Sequence, residues 1–282
     1  IHIHYLGYNL IPAMAIKSSK FVLTAWGSDV LLAKQNHIRA WLLQRSIRRA
    51  SLITGDSQTI INQIAKLNVN KNKIHHINFG IETNFYKARK PERVNTNRKT
   101  LNIISLRNLE PIYNIECLIE AVKILHDKGF NLNCDIFGYG SLENNLKNLI
   151  KQHSLEKVIK LCGRFDAKSM PTTFSNYDLY VSTSTSDAGI SASTAEAMSC
   201  EVPVLISDSA ENSLWVESGV NGLLYETSNQ KELAQQLIKF SDFNVSKRLS
   251  IGLAGRETII KHNDCNTEMS KMSALITKLV NT

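Results

Sequence analysis

At 282 residues and 43% hydrophobic content, the chain can bury the core of two modest domains or of one large one. No run reaches the roughly 18 to 20 consecutive apolar residues of a membrane helix, and five scattered cysteines without a Cys-x-x-Cys pair argue against a disulfide framework or a zinc site. The formal charge of +8 is uneven: residues 1–100 hold 16 Lys/Arg against 4 Asp/Glu, and the remainder holds 17 against 21. The first part is therefore expected to face something anionic. An anionic membrane surface or a phosphate-bearing acceptor fits better than nucleic acid, for which there is neither a motif nor an interleaved aromatic platform. A plain solubilising charge explains the excess equally well.

The chain opens on Ile1 rather than Met, so an N-terminal part is expected to be missing. Ile1–Tyr5 reads as a strand that puts His2 and His4 on one face; a metal pair there would lack a third ligand. A helix is expected over Leu10–Ile16 and a buried strand over Phe21–Thr24. The loop Trp26-Gly-Ser-Asp29 follows at a strand's C-terminal end, where open α/β sheets place ligands. Residues 33–50 read as an amphipathic helix, with Ile38, Trp41, Leu42 and Ile47 available for packing and Arg39, Arg45, Arg48 and Arg49 outside. An ordinary packed helix is the first reading of it, a membrane contact the second. Ser51–Thr54 is a short strand. Asp56 or Ser57 can cap the helix that runs through Leu67, and Ile74–Asn78 is a further strand. Residues 87–100 have almost no apolar content and read as a linker.

Beyond the linker, strands over Leu101–Leu106, Leu132–Phe137, Val158–Leu161 and 178–182 alternate with helices over Ile115–Lys128 and Leu142–His153 and with a short helix before the last strand. That rhythm argues for a parallel, doubly wound sheet. Residues 181–206 are the most informative stretch. A buried strand ends at Ser182, a small polar loop contains Gly189, an Ala-rich helix carries one acid, Glu196, and Pro203 leads into the apolar Val204-Leu-Ile206. The loop and the helix start together offer free N–H groups and a positive dipole end, which suits a phosphate. Helices near 210–217, over Lys231–Phe240, 244–262 and 266–280 complete the chain, with a turn at Gly219-Val-Asn-Gly222 before Leu223–Tyr225.

The stretch 181–206 resembles the nucleotide-sugar site of the retaining GT-B glycosyltransferases, also called glycosyl transferases group 1 (family 4). Glu196-Ala-Met198, Cys200 and Pro203-Val204 match that family's pattern. Its first acid would fall at Ala188, with Asp187 one place early, and its turn glycine falls at Glu201. Phe79–Phe85 resembles the family's domain-exit segment, although Asn78 and Phe79 stand where Pro and Asn are usual. Trp26 stands where the family commonly carries a His facing the sugar, so no base is inferred there.

The resemblance implies an α/β, GT-B-like fold of two Rossmann-type, doubly wound parallel-sheet domains, the N-terminal one incomplete by roughly 80 to 100 residues on ordinary domain size. The expected boundaries are 1–95 for the partial acceptor-side domain and linker, 96–265 for the nucleotide-sugar domain, and 266–282 for a C-terminal helix. The implied donor-binding residues are Arg107, Gly163, Arg164, Asp187, Gly189, Ile190, Ser191 and Glu196; Trp26, Ser28 and Asp29 are acceptor-side candidates. Glu196 would accept the ribose hydroxyls, for which a carboxylate offers two acceptor oxygens. By spacing alone it is also the N3 residue of a capping box with Ser193 as N-cap. Gly189-Ile-Ser191 would present backbone N–H groups to the diphosphate or sugar, or simply form a tight turn. Arg107 matches a phosphate-gripping Arg, but Ile112 or Tyr113 stands where the pattern has a Lys. Gly138-Tyr-Gly140 matches a Gly-x-Gly that is structural in the family.

The implied reaction moves a hexose from a nucleoside-diphosphate sugar to a saccharide or lipid-linked acceptor with retention, in cell-surface polysaccharide or lipopolysaccharide assembly. No catalytic base, metal or cofactor is implied; the absence of Asp-x-Asp speaks against a metal-chelating transferase. The expected location is cytoplasmic, with peripheral contact at the inner face of an anionic membrane. The alternatives are a non-catalytic nucleotide-sugar-binding or scaffold protein of the same fold, and a GT-B-shaped sugar-nucleotide epimerase, which would need cleft carboxylates that the sequence does not locate.

Overall fold

The structure, a computed structural model, describes residues 1–5, 20–31, 37–87, 100–187 and 189–281. The helix expected over Leu10–Ile16, most of the expected linker and Ala188 lie outside the described residues. The chain divides into two compact units, Ile1–Gly80 with Asn263–Thr282, and Ile81–His262. Residues 81–87, expected with the first domain, thus fall in the second unit, and the C-terminal helix belongs to the first.

In the first unit the strands β1 (His2–His4), β2 (Val22–Ala25), β3 (Leu52–Gly55) and β4 (Ile74–His76) form a parallel sheet in that order. The inner strands β2 and β3 are buried along their whole length, as expected for parallel strands covered on both faces. Ser57 caps the helix Gln58–Ala65 by accepting from the Ile60 N–H at 3.2 Å. The C-terminal helix Cys265–Asn281 lays Met272, Leu275, Ile276 and Leu279 against Val22, Leu52 and Ile77. Its buried Glu268 accepts the Asn78 N–H at 2.9 Å, and Asn263 accepts the Gly80 N–H at 3.1 Å. These bonds dock the end of the chain onto the loop after β4.

The helix His37–Arg49 corrects the expected packing face. It buries Leu43, Ser46 and Ile47, while Ile38 and Trp41 are exposed and Leu42 is only half-buried. Leu43 and Ile47 are i,i+4 neighbours that share one side of a helix, and at 100° per residue Ile38 and Trp41 fall on the other side.

In the second unit six parallel strands run in the order β10 (Leu223–Tyr225), β9 (Val204–Ser207), β8 (Leu179–Ser182), β5 (Leu101–Leu106), β6 (Leu132–Phe137) and β7 (Ile159–Gly163). Numbered within the unit, that order is 6-5-4-1-2-3, the doubly wound dinucleotide-binding order. The helix Ile115–Asp127 buries Leu118, Ile119, Val122 and Leu125 at the three-and-four spacing of a core face. β5 and β8 are neighbours, but the chain leaves β5 toward β6 on one side and β8 toward β9 on the other. Ligands of such sheets sit in the crevice outside the strand ends at this reversal.

Gly138-Tyr139-Gly140 shapes one wall of that crevice. The Arg107 N–H donates to the Phe137 carbonyl at 3.1 Å and the Leu109 N–H to the Tyr139 carbonyl at 3.0 Å, so the chain after β5 continues to pair with the chain after β6. A Cβ on Gly138 would lie 2.0 Å from the Arg107 carbonyl oxygen, and one on Gly140 would lie 2.4 Å from that of Leu109. Gly138 also has φ +149°, outside the comfortable range of other residues. The Gly-x-Gly therefore sets the backbone position of Arg107. Gly138→Ala is expected to cost roughly 2–4 kcal/mol from clash and strain together. Urea unfolding measures this, and a loss below about 0.5 kcal/mol would contradict the close approach.

Candidate functional site

The two strand ends at the reversal are laced together. The Thr183 hydroxyl donates to the Tyr113 carbonyl at 2.8 Å, and the Thr185 N–H donates to the Ile112 carbonyl at 2.9 Å. The Ser184 carbonyl accepts from the hydroxyls of Ser207 and Ser209 at the end of β9. Three strand ends thus converge on the loop 183–187, which fixes where its side chains point.

Arg107 meets that loop directly. Its Nε donates to Ser184 Oγ at 3.0 Å, its terminal nitrogen pairs with Asp187 Oδ1, and its guanidinium lies 4.6 Å from the centre of the Tyr113 ring. The Arg107 and Asp187 side chains are each only 8% exposed. Asp187 Oδ2 is buried and has no hydrogen-bond partner among the described residues. A charge pair this far from water holds together strongly, yet either member alone would be costly to keep there. Tyr113, at one of the two positions where the family pattern has a Lys, stacks on the arginine instead of adding a second cation.

The helix Ala192–Ser199 is capped by Ser191, whose hydroxyl accepts the Thr194 N–H. This corrects the capping box expected from Ser193 and Glu196: the helix starts two residues earlier, so Thr194 occupies N3. Ser193 Oγ instead shares a 2.8 Å hydrogen bond with the buried Tyr180 hydroxyl. Glu196 lies beyond the first turn, and its Oε1 accepts the Tyr86 hydroxyl at 2.8 Å. Burial pushes the Glu196 carboxyl above its ordinary range, and the Tyr86 hydrogen bond partly offsets that. Tyr86 is itself held in place. Its carbonyl accepts from Ser199 Oγ at 3.0 Å and from the Arg256 guanidinium at 2.8 Å, and Arg256 also reaches the Thr83 and Ser199 carbonyls.

A cavity of about 220 Å³ joins these groups, lined among others by Arg107, Tyr113, Phe165, Ser193 and Glu196. Of the expected donor-binding residues, Arg107 and Glu196 line it, and Asp187 abuts it through Arg107. Ser191 caps the helix whose first residues, Ala192 and Ser193, form part of the wall. Gly189 turns the loop at φ +71°, and the Ile190 side chain is buried. Gly163 accepts the Gly138 N–H at 2.8 Å. Arg164 stacks on Tyr139 at 4.1 Å and is absent from the cavity lining. Glu201, at the family's turn-glycine position, adopts φ +58°, a conformation that glycine takes without strain.

The acceptor-side candidates belong to the first unit. Trp26 lines a separate cavity of about 170 Å³ with His2, His4, Thr24, Thr54 and Asn78. The His2 and His4 rings lie 4.0 Å apart, and His2 Nε2 hydrogen-bonds the Thr24 hydroxyl at 2.7 Å. Burial and the neighbouring His4 hold His2 down to about 4. The buried Asp29 does not face this cavity: its carboxylate accepts the N–H groups of Trp26 and Val30, each at 3.1 Å. Ser28 opens the short helix Ser28–Leu31, and its side chain lies outside the description. Among the described residues no group of three or more His, Cys, Asp or Glu is arranged to hold a metal ion.

Sequence reasoning missed Tyr86, Ser184, Phe165 and Arg256. Tyr86 directly follows the recognised segment Phe79–Phe85, but nothing in local spacing pairs it with an acid 110 residues away. The serine-rich loop signalled close approach without singling out Ser184.

Residues 87–258, more than half of the chain, match the family model described as glycosyl transferases group 1. The chain is 25% identical over 221 residues to WcaL of Escherichia coli (strain K12), which carries the name of a colanic acid biosynthesis glycosyltransferase; the match covers 77% of this chain and 54% of WcaL. It is 28% identical over 174 residues to the amylovoran biosynthesis glycosyltransferase AmsK of Erwinia amylovora, covering 60% of this chain and 42% of AmsK. The matches thus span about half the length of these curated relatives. Anabaena HepE, solved in complex with UDP-glucose, shares the fold at a TM-score of 0.80 and 20% identity, over 96% of this chain and 75% of that one.

The buried pair generates a test of its own. Arg107→Met or Asp187→Leu alone is expected to cost about 3–5 kcal/mol, because each leaves an unpaired buried charge, whereas the double variant is expected to recover most of the loss. Denaturant unfolding of the three variants measures the coupling, and strictly additive losses would contradict the pair.

Proposed function

Since the chain belongs to the glycosyl transferases group 1 family and has the GT-B fold, we propose that it transfers a hexose, with retention, from a nucleoside-diphosphate sugar to a saccharide or lipid-linked acceptor in the assembly of a cell-surface polysaccharide. The observation that carries this reading is the meeting of Arg107, Ser193 and Glu196 in one cavity at the strand reversal of the second unit. The names of WcaL and AmsK support the polysaccharide role, and the UDP-glucose bound to HepE supports the donor class.

In this reading each side chain has a defined task. Tyr86 engages Glu196 Oε1 and orients the carboxylate, and Oε2 takes the vicinal ribose hydroxyls, which need an acceptor rather than a donor. The diphosphate lies against the start of the helix Ala192–Ser199, where the dipole and the first N–H groups favour an anion. Arg107 neutralises charge on the leaving diphosphate as the sugar bond breaks. That diphosphate then takes the acceptor's proton, so the side chains need only position and stabilise. A non-catalytic nucleotide-sugar-binding role is the second reading. It is favoured by Tyr113 in place of a second cation and by the partnering of Arg107 with Asp187. Turnover of UDP-glucose, by transfer or slow hydrolysis, separates the two.

Glu196→Gln tests the ribose assignment. A hydrogen bond to a charged partner contributes about 1.5–3 kcal/mol, so donor affinity is expected to fall roughly ten- to a hundredfold. Stability is expected to move the other way. The folded-state pKa of Glu196 is raised above 4.5, so the folded protein binds this proton more tightly than the unfolded chain. Its contribution is fully present below pH 4.5 and is lost as the pH rises through the folded value. The variant, which cannot ionise, is therefore expected to melt at an equal or higher temperature at pH 8, with the difference shrinking toward pH 4. Calorimetric titration with UDP-glucose and melting curves across that range supply both readouts. Unchanged affinity would sink the ribose role.

A further inference from the structure

The helix His37–Arg49 turns apolar and cationic side chains to the same side. At 3.6 residues per turn, Arg48, Trp41, Arg45, Ile38 and Arg49 fall within an arc of about 100°, opposite the buried Leu43 and Ile47. Ile38 is 71% exposed and Trp41 56%. Arg45 stacks its guanidinium 5.8 Å from the Trp41 ring centre. Trp41, Gln44, Arg45, Arg48 and Arg49 line a hollow of about 350 Å³ on this face. The helix carries no Asp or Glu.

We propose that this face seats on an anionic phospholipid surface, with Trp41 and Ile38 at the boundary between headgroups and acyl chains and the arginines on lipid phosphates. The chemistry favours lipid over a folded partner. Protein interfaces bury a contiguous apolar centre inside a polar rim, whereas here Arg45 lies between Trp41 and Ile38, and Arg48 and Arg49 flank them. Tryptophan and arginine side by side suit an interface that is apolar on one side and phosphate-rich on the other. Guanidinium forks match phosphate oxygens in geometry as well as charge. The described residues of the first unit carry ten Lys/Arg against four Asp/Glu, so the surrounding field draws the helix to a negative surface before contact is made. No helix among the described residues is long and apolar enough to cross a membrane, and the contact proposed is with one leaflet.

The test is co-sedimentation of the protein with phosphatidylcholine vesicles, alone and containing about a third phosphatidylglycerol, at two salt concentrations. Binding is expected only to the anionic vesicles and is expected to weaken with salt. At about 1 kcal/mol per basic residue near the surface, Arg45→Gln/Arg48→Gln should weaken binding roughly 30-fold. Trp41→Ser should weaken it too, and should abolish the blue shift of tryptophan emission on binding. Lys66→Gln/Lys71→Gln removes the same charge from exposed positions off this helix and should change binding less than about threefold. Melting curves confirm that the variants fold. Equal binding to neutral vesicles, binding to neither, or an equal loss in the lysine control would overturn the proposal. So would binding to a soluble polyanion such as heparin without binding to vesicles.

Discussion

Arg107 and Asp187 come together because β5 and β8 are neighbours in a sheet that winds both ways from that point. The following loops diverge, one toward β6 and one toward β9, and leave a crevice that no connection crosses. The ion pair and the Thr183 and Thr185 bonds span this crevice and keep it from spreading. The rest of the site depends on that arrangement. Gly138 admits the Arg107 backbone, Ser207 and Ser209 hold Ser184, and Ser191 starts the helix that carries Glu196.

The same pair limits the electrostatics. With Asp187 on it, Arg107 brings little net charge to the cavity. In the proposed reading the helix start first attracts the diphosphate, and Arg107 acts on it once Asp187 gives way to the arriving phosphate oxygens. Asp187 Oδ2 is buried without a hydrogen-bond partner among the described residues, so the pair is only partly satisfied there, which is costly in a low-dielectric site. Glu196 sits in the opposite condition. Burial raises its pKa, so ionisation is costly until hydroxyl donors approach. A ligand with vicinal hydroxyls at one end and a diphosphate at the other relieves both groups at once.

The fold of the second unit was legible in the sequence because fully buried parallel strands read as short apolar runs, such as Leu101–Leu106 and Val204–Leu205–Ile206. Helix ends were legible to within a residue where capping residues announced them: Asp56 or Ser57 was expected to cap, and Ser57 does. The faces of helices were less so. Ile38, Trp41, Leu42 and Ile47 look equally apolar on paper, and only the tertiary packing decides which are buried. The Ser193–Glu196 spacing likewise mimicked a capping box, because two serines lie two residues apart and both suit an N-cap. Tyr86 and Arg256 were invisible for a different reason. Their contacts join segments more than 100 residues apart, and no local period encodes such a meeting.

The central claim is that the nucleotide sugar binds at the strand reversal between β5 and β8. Amide hydrogen exchange of the protein with and without saturating UDP-glucose tests it most directly, because it reports on every segment at once. The account predicts slowed exchange in residues 107–113 and 183–196 and in the segment around Tyr86, with no change in the helix His37–Arg49. Protection confined to other segments, with those loops exchanging as before, would contradict it.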